Sequence, residues 1–343
     1  MTSMKSKTGE WVFIFPVSNL ELTEKVNNEF TIGTVTFIKL DKFFRVKKRF
    51  GVLQSSAEIK RQSSFERIIT AKTIALVKKN GHLENARENA EKEVKEKLFI
   101  LALSQLFNTG RDHIQKPSIS KNNIYHIQSF HLNLHKSESG SQSKMRGPFF
   151  PLRLDEEWIR VVNSGFFSNA IKIINNDNKK YTNWDSILYR SLVLAGKSLY
   201  EEDISQSFLL TMIAIESIIT SGNSNHQERF LGIFRALMGH YEPWQSYGFE
   251  GLIKSIYTKR NNYVHDGKQD EITIDDLRFA ELLLYNLYLN IFKNISHFDS
   301  KEKLKDLLER NEAVNKLKLN KDITKYLPKG LVFTYKQKDI LMK

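Results

Sequence analysis

The stretch Tyr257-Thr-Lys-Arg-Asn-Asn-Tyr-Val-His-Asp-Gly267 decides the interpretation of the second half of this chain. The apolar residues before it, including Ile253 and Ile256, have helical spacing. Gly267 is the residue type that most easily ends a helix in a left-handed turn. The sequence therefore predicts a helix over Phe249–His265 whose last turns are rich in polar side chains.

Three of these polar residues, Arg260, Asn261 and His265, lie close together on the predicted helix. Asn261 and His265 are four residues apart and share a helix face, and the long side chain of Arg260 reaches the same place. The spacing leaves two interpretations open. One is a helix end with an exposed basic residue and a capping histidine, and the other is a functional site.

Composition limits the class of protein. A chain of 343 residues is long enough for two domains, and without cysteine it has no disulfides, thiolate zinc sites or cysteine nucleophiles. The polar start, Met1–Glu10, lacks the apolar core of a signal peptide, and the apolar run Leu98–Leu103 is far too short to span a membrane. These features predict a cytoplasmic protein without a membrane partner.

The net charge of +13 is distributed unevenly. Residues 1–150 contain 25 Lys and Arg against 14 Asp and Glu, whereas residues 151–343 contain 27 against 25. An anionic partner such as RNA is therefore expected to bind the first half. A lysine-rich surface without a specific partner is the alternative explanation.

The first half has the mixed pattern of a basic α+β domain, predicted over residues 1–147. The serine-rich stretch Lys136–Gly147 is predicted to be a linker to a second domain over residues 148–343. The predicted elements of the first domain are strands over Trp11–Val17, Phe30–Ile38, Arg67–Lys78 and Ile124–Leu134, a turn at Asn80-Gly81, and a helix over Leu83–Phe107.

Phenylalanines and cations are interleaved in Lys42–Phe50. Such a segment is able to stack bases and neutralise phosphates, which makes Lys47, Lys48 and Arg49 candidates for RNA binding. A half-buried strand with a basic outer face explains the same pattern and is favoured.

The histidines of the first half are not expected to form a metal site. His126, His131 and His135 lie on or beside a predicted strand, and in a strand His131 and His135 are about 13 Å apart. No acidic cluster accompanies them, so neither a metal nor another cofactor is predicted.

The second half is predicted to be nearly all helix, with a capping box at Thr273–Asp276. The stretch Ala195-Gly-Lys-Ser198 resembles the end of a phosphate-binding loop, but it lacks the earlier glycine and lies inside a helical pattern. A final strand is possible at Leu331–Tyr335. Helices are predicted over Glu156–Ile174, Trp184–Tyr200, Ile204–Thr220, Gln227–Gly239, Phe249–His265, Ile274–Ile295 and Lys301–Leu317.

Glu216 lies on the apolar face of its predicted helix, together with Leu209 and Met212. A carboxylate in a helix interface is costly unless it is paired. The sequence therefore predicts a cationic partner on a neighbouring helix, and the candidates are Arg229, Arg235 and Arg260.

The end of the predicted helix carries a motif that resembles that of a known family. Arg260-Asn-Asn-Tyr-Val-His265 matches the R-x4-H motif of the HEPN superfamily, and the continuation Asp266-Gly267 strengthens the match. The segments Ala214–Ile219 and Glu228–Leu237 look like the preceding helices of Apea-like HEPN domains. The similarity covers about residues 184–295, and it implies an all-α HEPN-like helical bundle after the α+β domain.

The resemblance implies a metal-independent endoribonuclease in which two copies form one composite site. In that arrangement His265 is the general acid or base, Arg260 binds the scissile phosphate and Asn261 orients the histidine or a phosphate oxygen. Glu216 then fixes the guanidinium, and Lys259 is a further candidate for RNA contact. Homodimer contact near the axis is expected from three apolar residues of the motif helix, Tyr257, Tyr263 and Val264.

The resemblance also implies a biological setting. HEPN nucleases with extra domains often serve in antiviral defence, abortive infection or toxin systems, with a regulatory protein partner or a phage trigger. Two alternatives remain open: a HEPN domain that works only in RNA binding or dimerisation, and an interaction protein whose first domain recognises another protein.

Overall fold

The computed structural model describes residues 8–61, 71–106, 113–119, 125–132, 139–146, 150–175, 182–219, 226–238, 248–269 and 271–316. The chain divides into two compact units, Met1–Leu98 with Thr109–Arg160 and Phe99–Asn108 with Val161–Lys343. The first contains an antiparallel sheet and the second is mostly helical, which agrees with the predicted order of an α+β region before a helical one. The second unit takes Phe99–Asn108 as well as the chain from Val161 onward, whereas the sequence predicted a single boundary between residues 147 and 148.

The first unit is built on a four-stranded antiparallel sheet with the order β1-β5-β4-β3. Two smaller pairs accompany it, a parallel β2-β8 and an antiparallel β6-β7. The strands are β1 (Thr8–Val17), β2 (Leu20–Leu22), β3 (Glu29–Ile32), β4 (Val35–Lys39), β5 (Thr73–His82), β6 (Tyr125–Leu132), β7 (Ser139–Arg146) and β8 (Leu152–Leu154).

Turn and linker predictions in this unit were partly wrong. The predicted strand Phe30–Ile38 is a hairpin, because Gly33 adopts φ 57° between β3 and β4. Asn80-Gly81 is no turn, since β5 continues through both residues and the Trp11 indole donates to the Gly81 carbonyl at 2.9 Å. The predicted linker Lys136–Gly147 contains β7, which pairs with β6.

The basic segment Lys42–Phe50 is helical, so the predicted strand is wrong there. Helix α1 (Leu40–Val46) leads into a 3-10 turn over Lys47–Phe50. The next helices are α2 (Ser56–Arg61) and α3 (Leu83–Ala102), and the last residues of α3, from Phe99, belong to the second unit. Phe43 is fully buried, and Phe44 and Phe50 pack partly buried against the same core. Lys60 lies over the Phe44 ring at 4.9 Å and Arg49 over the Phe50 ring at 4.6 Å. Protein cations therefore already cover the rings that were candidates for base stacking.

The helical unit confirms the predicted helices to within a few residues. The one division that was missed is at Gly165 and Phe166, where the predicted Glu156–Ile174 breaks into two helices and Phe166 inserts against Tyr288 and Phe292. The helices are α4 (Glu156–Ser164), α5 (Phe167–Ile174), α6 (Asn183–Tyr200), α7 (Ile204–Ile219), α8 (His226–Met238), α9 (Phe249–Asp266), α10 (Ile274–Lys293) and α11 (Lys301–Lys316).

The core of this unit combines large apolar side chains with a few satisfied hydroxyls. Ser191 of α6 donates to the Ala214 carbonyl of α7 at 2.7 Å and lies 2.8 Å from the hydroxyl of Tyr288 on α10. These bonds join three helices at a point where no side chain is exposed, and each contributes about 1 kcal/mol.

Gly196 explains the stretch that resembled a phosphate-binding loop. A Cβ atom at this position would lie 2.2 Å from the Phe99 carbonyl oxygen, so glycine permits α6 to approach that backbone. Ser198 is buried and donates to the Ala195 carbonyl within the same helix. The stretch is therefore a packing contact.

Two predictions about the rest of the chain have different outcomes. The strand expected at Leu331–Tyr335 lies outside the described residues. Among the helices that the structure describes, none is both long enough and apolar enough to cross a membrane.

Candidate functional site

The candidate site is built on α9, whose length is set by a left-handed glycine at each end. Gly248 precedes the helix with φ 62°, and Gly267 ends it with φ 68°, its N–H bonding to the Tyr263 carbonyl at 3.1 Å. This confirms the predicted helix and its glycine cap. Arg260 and His265 consequently fall in the last two turns of the helix.

Glu216 of α7 pairs with Arg260 of α9, as the apolar setting of this carboxylate predicted. The Nη2 atom of Arg260 lies 2.7 Å from Oε2 of Glu216, and the two side chains are 19% and 12% exposed. The side chains of Arg229 and Arg235, the other candidates, lie outside the described residues. Burial of this kind makes the pair mutually dependent, because either charge alone would be poorly solvated.

The guanidinium of Arg260 is held by more than the carboxylate. Its Nη1 atom donates to Oδ1 of Asn261 at 3.1 Å, and its Nε is buried without a hydrogen-bond partner among the described residues. A guanidinium has five N–H groups, so each Nη atom retains one N–H that is not used in these two bonds. The side chain is therefore oriented, with donors left for a further oxygen ligand.

His265 lies at the exposed end of this arrangement. Its imidazole makes no hydrogen bond or ion pair with the described part of the chain, and the neighbouring Val264 is 47% exposed. Asn261, one turn earlier on the same helix, is half-buried. Asn261 and the accessible His265 thus share a face of α9, whereas Arg260 of the buried pair is rotated about 140° away from the histidine.

Lys259, a predicted RNA contact, is engaged within the protein. Its ammonium lies 2.9 and 2.7 Å from the two carboxylate oxygens of Asp276. Asp276 also accepts from Thr273 in the predicted capping box at the start of α10. One carboxylate therefore caps α10 and holds α9 beside it, a second role that the sequence pattern did not indicate.

Two further hydrogen bonds hold the end of α9. Gln206 of α7 donates to the Tyr263 hydroxyl, and Asn262 donates to Glu271 at 2.9 Å. Four residues near the end of α9 therefore each bond to a different side chain outside the helix: Lys259 to Asp276, Arg260 to Glu216, Asn262 to Glu271 and Tyr263 to Gln206. The backbone that carries Arg260 is fixed from several sides.

Tyr257 is a neighbour of the buried pair that sequence reasoning did not assign to the site. Its ring packs on Phe230 at 5.3 Å, and burial raises the pKa of its hydroxyl, with Glu216 raising it further and Arg260 lowering it. Tyr257 and Tyr263 are 5% and 8% exposed, so the predicted use of these rings in contact with a second copy is wrong. Of the three residues named for that contact, Val264 alone is exposed.

The three cations named on the first unit have different surroundings. Lys47 donates to the Gln54 carbonyl, and Arg49 pairs with Glu29. Lys48 is exposed, and its ammonium group makes no ion pair or hydrogen bond within the described part of the chain. Lys48 is thus the one of the three whose charge is not already engaged by the protein.

In the described ranges, no group of three or more His, Asp or Glu side chains is placed to hold a metal ion. His126 and His131 lie in β6, and their backbone pairs with β7. Their side chains, and the whole of His135, lie outside what the structure describes.

Comparison of the chain with protein-family models, with curated proteins and with solved structures finds no match. The likeness of Arg260–His265 to the HEPN motif thus remains a resemblance carried by those residues.

Proposed function

We propose that this protein is a metal-independent endoribonuclease of HEPN type. The observation that carries the proposal is the end of α9, where a basic side chain oriented by Glu216 and Asn261 lies within two helical turns of an accessible imidazole. RNA cleavage requires two kinds of group from a protein, one that binds the phosphate and one that transfers protons.

RNA supplies its own nucleophile, so this chemistry does not depend on a metal-activated water. The 2′-oxygen forms a bond to phosphorus while the bond from phosphorus to the 5′-oxygen breaks. One group removes the 2′-hydroxyl proton and another protonates the leaving 5′-oxygen, and His265 serves as one of them. The remaining N–H groups of Arg260 bind the phosphate and stabilise the charge of the transition state.

The complete site in this proposal is a homodimer. Resemblance to HEPN nucleases implies that two motifs face each other, so that the second proton-transfer group is His265 of a second copy. The exposed Val264 beside the histidine supports an apolar contact at that position. The proposed setting is the cytoplasm, in antiviral defence or a toxin system, with a regulatory protein or a phage trigger controlling activity.

A second function is favoured by one observation. The guanidinium of Arg260 already bonds to Glu216 and to Asn261, and its side chain is only 19% exposed. An arginine engaged in this way is also what a non-catalytic RNA-binding or dimerisation module would need to stabilise its helices.

Incubation of the purified full chain with total RNA and with tRNA separates the two functions. The wild type is expected to cut both in the presence of excess EDTA and to leave 2′,3′-cyclic phosphate ends. His265→Ala is expected to abolish cutting, whereas His82→Ala, which removes an exposed histidine of the first unit, is the matched control and should cut normally.

Three results would count against the nuclease. They are cleavage that requires Mg²⁺, cleavage that survives His265→Ala, and RNA binding without any cleavage. The last result is the outcome expected of the non-catalytic module. Sedimentation of the same samples tests the homodimer, and a monomer at the concentrations that cleave RNA would contradict the composite site.

A further inference from the structure

A cleft of about 470 Å³ opens beside α1 in the first unit. Its volume falls within the range of roughly 300–1,000 Å³ that is usual for small-molecule sites. The lining is mainly polar and consists of Glu24, Asn27, Asn28, Lys42, Arg45 and Val46.

One wall of the cleft is a turn with an unusual backbone. Asn27 and Asn28 are both left-handed, with φ of 54° and 53°, a conformation that asparagine adopts more readily than most residues. Lys42 donates to the Asn27 carbonyl at 2.6 Å, and the Lys39 N–H donates to the Asn28 carbonyl at 3.0 Å. The two carboxamides therefore stand on a backbone that α1 and β4 hold in place.

The charges of the cleft are not paired with one another. Neither the Arg45 guanidinium nor the Glu24 carboxylate makes an ion pair or side-chain hydrogen bond with the described residues. The Lys42 ammonium, in contrast, is paired. Its Nζ atom lies 3.1 Å from Oε2 of Glu29, and its side chain is mostly buried. The cleft thus presents a free cation and a free carboxylate in the same small space.

An unmet acceptor lies in the wall of the cleft. The Oδ1 atom of Asn28 is buried in the wall and accepts no hydrogen bond from the residues that the structure describes. A buried acceptor without a donor is costly. Because this atom has almost no accessible surface, a ligand in the cleft does not reach it, and the acceptors that a ligand meets are those of the exposed Glu24 and Asn27.

From these observations we infer that the cleft binds a nucleotide. Its phosphate binds Arg45, and its hydroxyl or amino donors bind Glu24 and the carboxamide of Asn27. The exposed Lys48 follows in the adjoining 3-10 turn and adds to the positive charge of this segment, although it does not line the cleft. A free nucleotide and one nucleotide of an RNA chain share this chemistry.

The carboxylate distinguishes this ligand from a simple anion. Glu24 repels inorganic phosphate, so a site for phosphate alone would be better without it. A nucleotide carries donors that a carboxylate accepts and an anion that a guanidinium binds. The inference concerns the first unit and does not depend on whether α9 catalyses RNA cleavage.

Titration calorimetry of the full chain tests the inference, with the four ribonucleoside monophosphates, the corresponding nucleosides, inorganic phosphate and a short single-stranded RNA as probes. Arg45→Gln is expected to weaken binding of at least one monophosphate by about tenfold or more, the effect of losing one charge-assisted hydrogen bond. Arg87→Gln is the matched control, since Arg87 is an exposed arginine of the same unit outside the cleft.

Asn27→Gly provides a second variant that preserves the left-handed backbone while removing the carboxamide. It is expected to weaken the same nucleotide without changing the melting temperature. If Arg45→Gln weakens the RNA as well as the monophosphate, the ligand is a nucleotide within an RNA chain. If it weakens the monophosphate alone, the ligand is a free nucleotide.

Several outcomes overturn the inference. They are the absence of binding by every monophosphate, equal weakening by Arg87→Gln, and inorganic phosphate binding as tightly as the best nucleotide. The control shows that an effect is local to the cleft, and the phosphate probe shows that it requires more than an anion.

Discussion

Replacement of Glu216 by glutamine is the sharpest structural test of the site. Glu216→Gln keeps the size of the side chain and an oxygen for Arg260, but removes the negative charge. Because Arg260 is only 19% exposed, its positive charge then lacks a counter-ion in a poorly solvated position. The helical unit is therefore expected to lose stability.

The expected loss lies between two known limits. Breaking a fully buried ion pair costs about 3–5 kcal/mol, and an exposed pair is worth about 0–1 kcal/mol. Side chains that are 12% and 19% exposed fall between these limits, and the glutamine oxygen retains part of the hydrogen bond. A loss of about 1–2 kcal/mol is expected.

Urea denaturation followed by circular dichroism measures this loss, and the chain contains a matched control. Asp299 and Lys303 have the same separation of 2.7 Å as Glu216 and Arg260, but their side chains are about half exposed. Asp299→Asn is expected to cost less than about 0.5 kcal/mol. The difference between the two variants isolates the effect of burial.

A double-mutant cycle with Arg260→Gln completes the test. The double variant contains neither charge, so its loss should be smaller than the sum of the two single losses. Equal losses for Glu216→Gln and Asp299→Asn, or simple additivity within the cycle, would refute the claim that burial couples Glu216 to Arg260.

Three further predictions concern packing, pH and the end of α9. Gly196→Ala should lower stability by at least about 1–3 kcal/mol in thermal unfolding, because its Cβ would meet the Phe99 carbonyl at 2.2 Å; a neutral effect would contradict the close approach. Burial raises the pKa of Tyr285 from 10.0 to about 12, so the stability that its neutral hydroxyl provides is complete below pH 10 and is lost as the pH rises towards 12. Tyr285→Phe should reduce that alkaline loss in denaturation measured across this range, and an unchanged profile would count against it. Lys259→Met should lower the free energy of unfolding by about 1 kcal/mol because it removes the ion pair with Asp276. An unchanged melting temperature would show that this ion pair does not stabilise the protein.

The helical unit was predictable because its signals are local and redundant. Helix α10 combines a capping box at Thr273 and Asp276 with an apolar pattern that runs its whole length. The pair of Glu216 and Arg260 was also predictable, although the residues are far apart in sequence, because a carboxylate on an apolar face needs a cation. The choice among three arginines required the structure.

The sheet of the first unit was harder because strand ends depend on distant partners. Asn80-Gly81 is a strong turn signal, yet β1 is long enough to pair with both residues, and Trp11 bonds to Gly81 across the sheet. Pairing over such a separation is invisible in the local sequence. In the same way, β7 is recognised only through its hydrogen bonds with β6.

The helical state of the basic segment was missed although its spacing was available. Leu40 and Phe43 are three residues apart and both buried, which is a helical interval, while the adjacent phenylalanines suggested a strand. Tertiary packing decided between the two patterns. The cleft beside α1 could not be foreseen, since it joins that helix to a left-handed turn that no sequence rule located.

The two left-handed glycines that bound α9 also limit how this helix can vary in length. Each residue inserted between Arg260 and His265 would turn the imidazole by about 100° relative to the guanidinium, since a helix has 3.6 residues per turn. Gly267 would then have to move along the chain as well, together with the bonds that end the helix. Insertions and deletions between Arg260 and His265 should therefore be excluded in any functional variant, while single substitutions on the exposed side of α9 remain acceptable at residues other than His265.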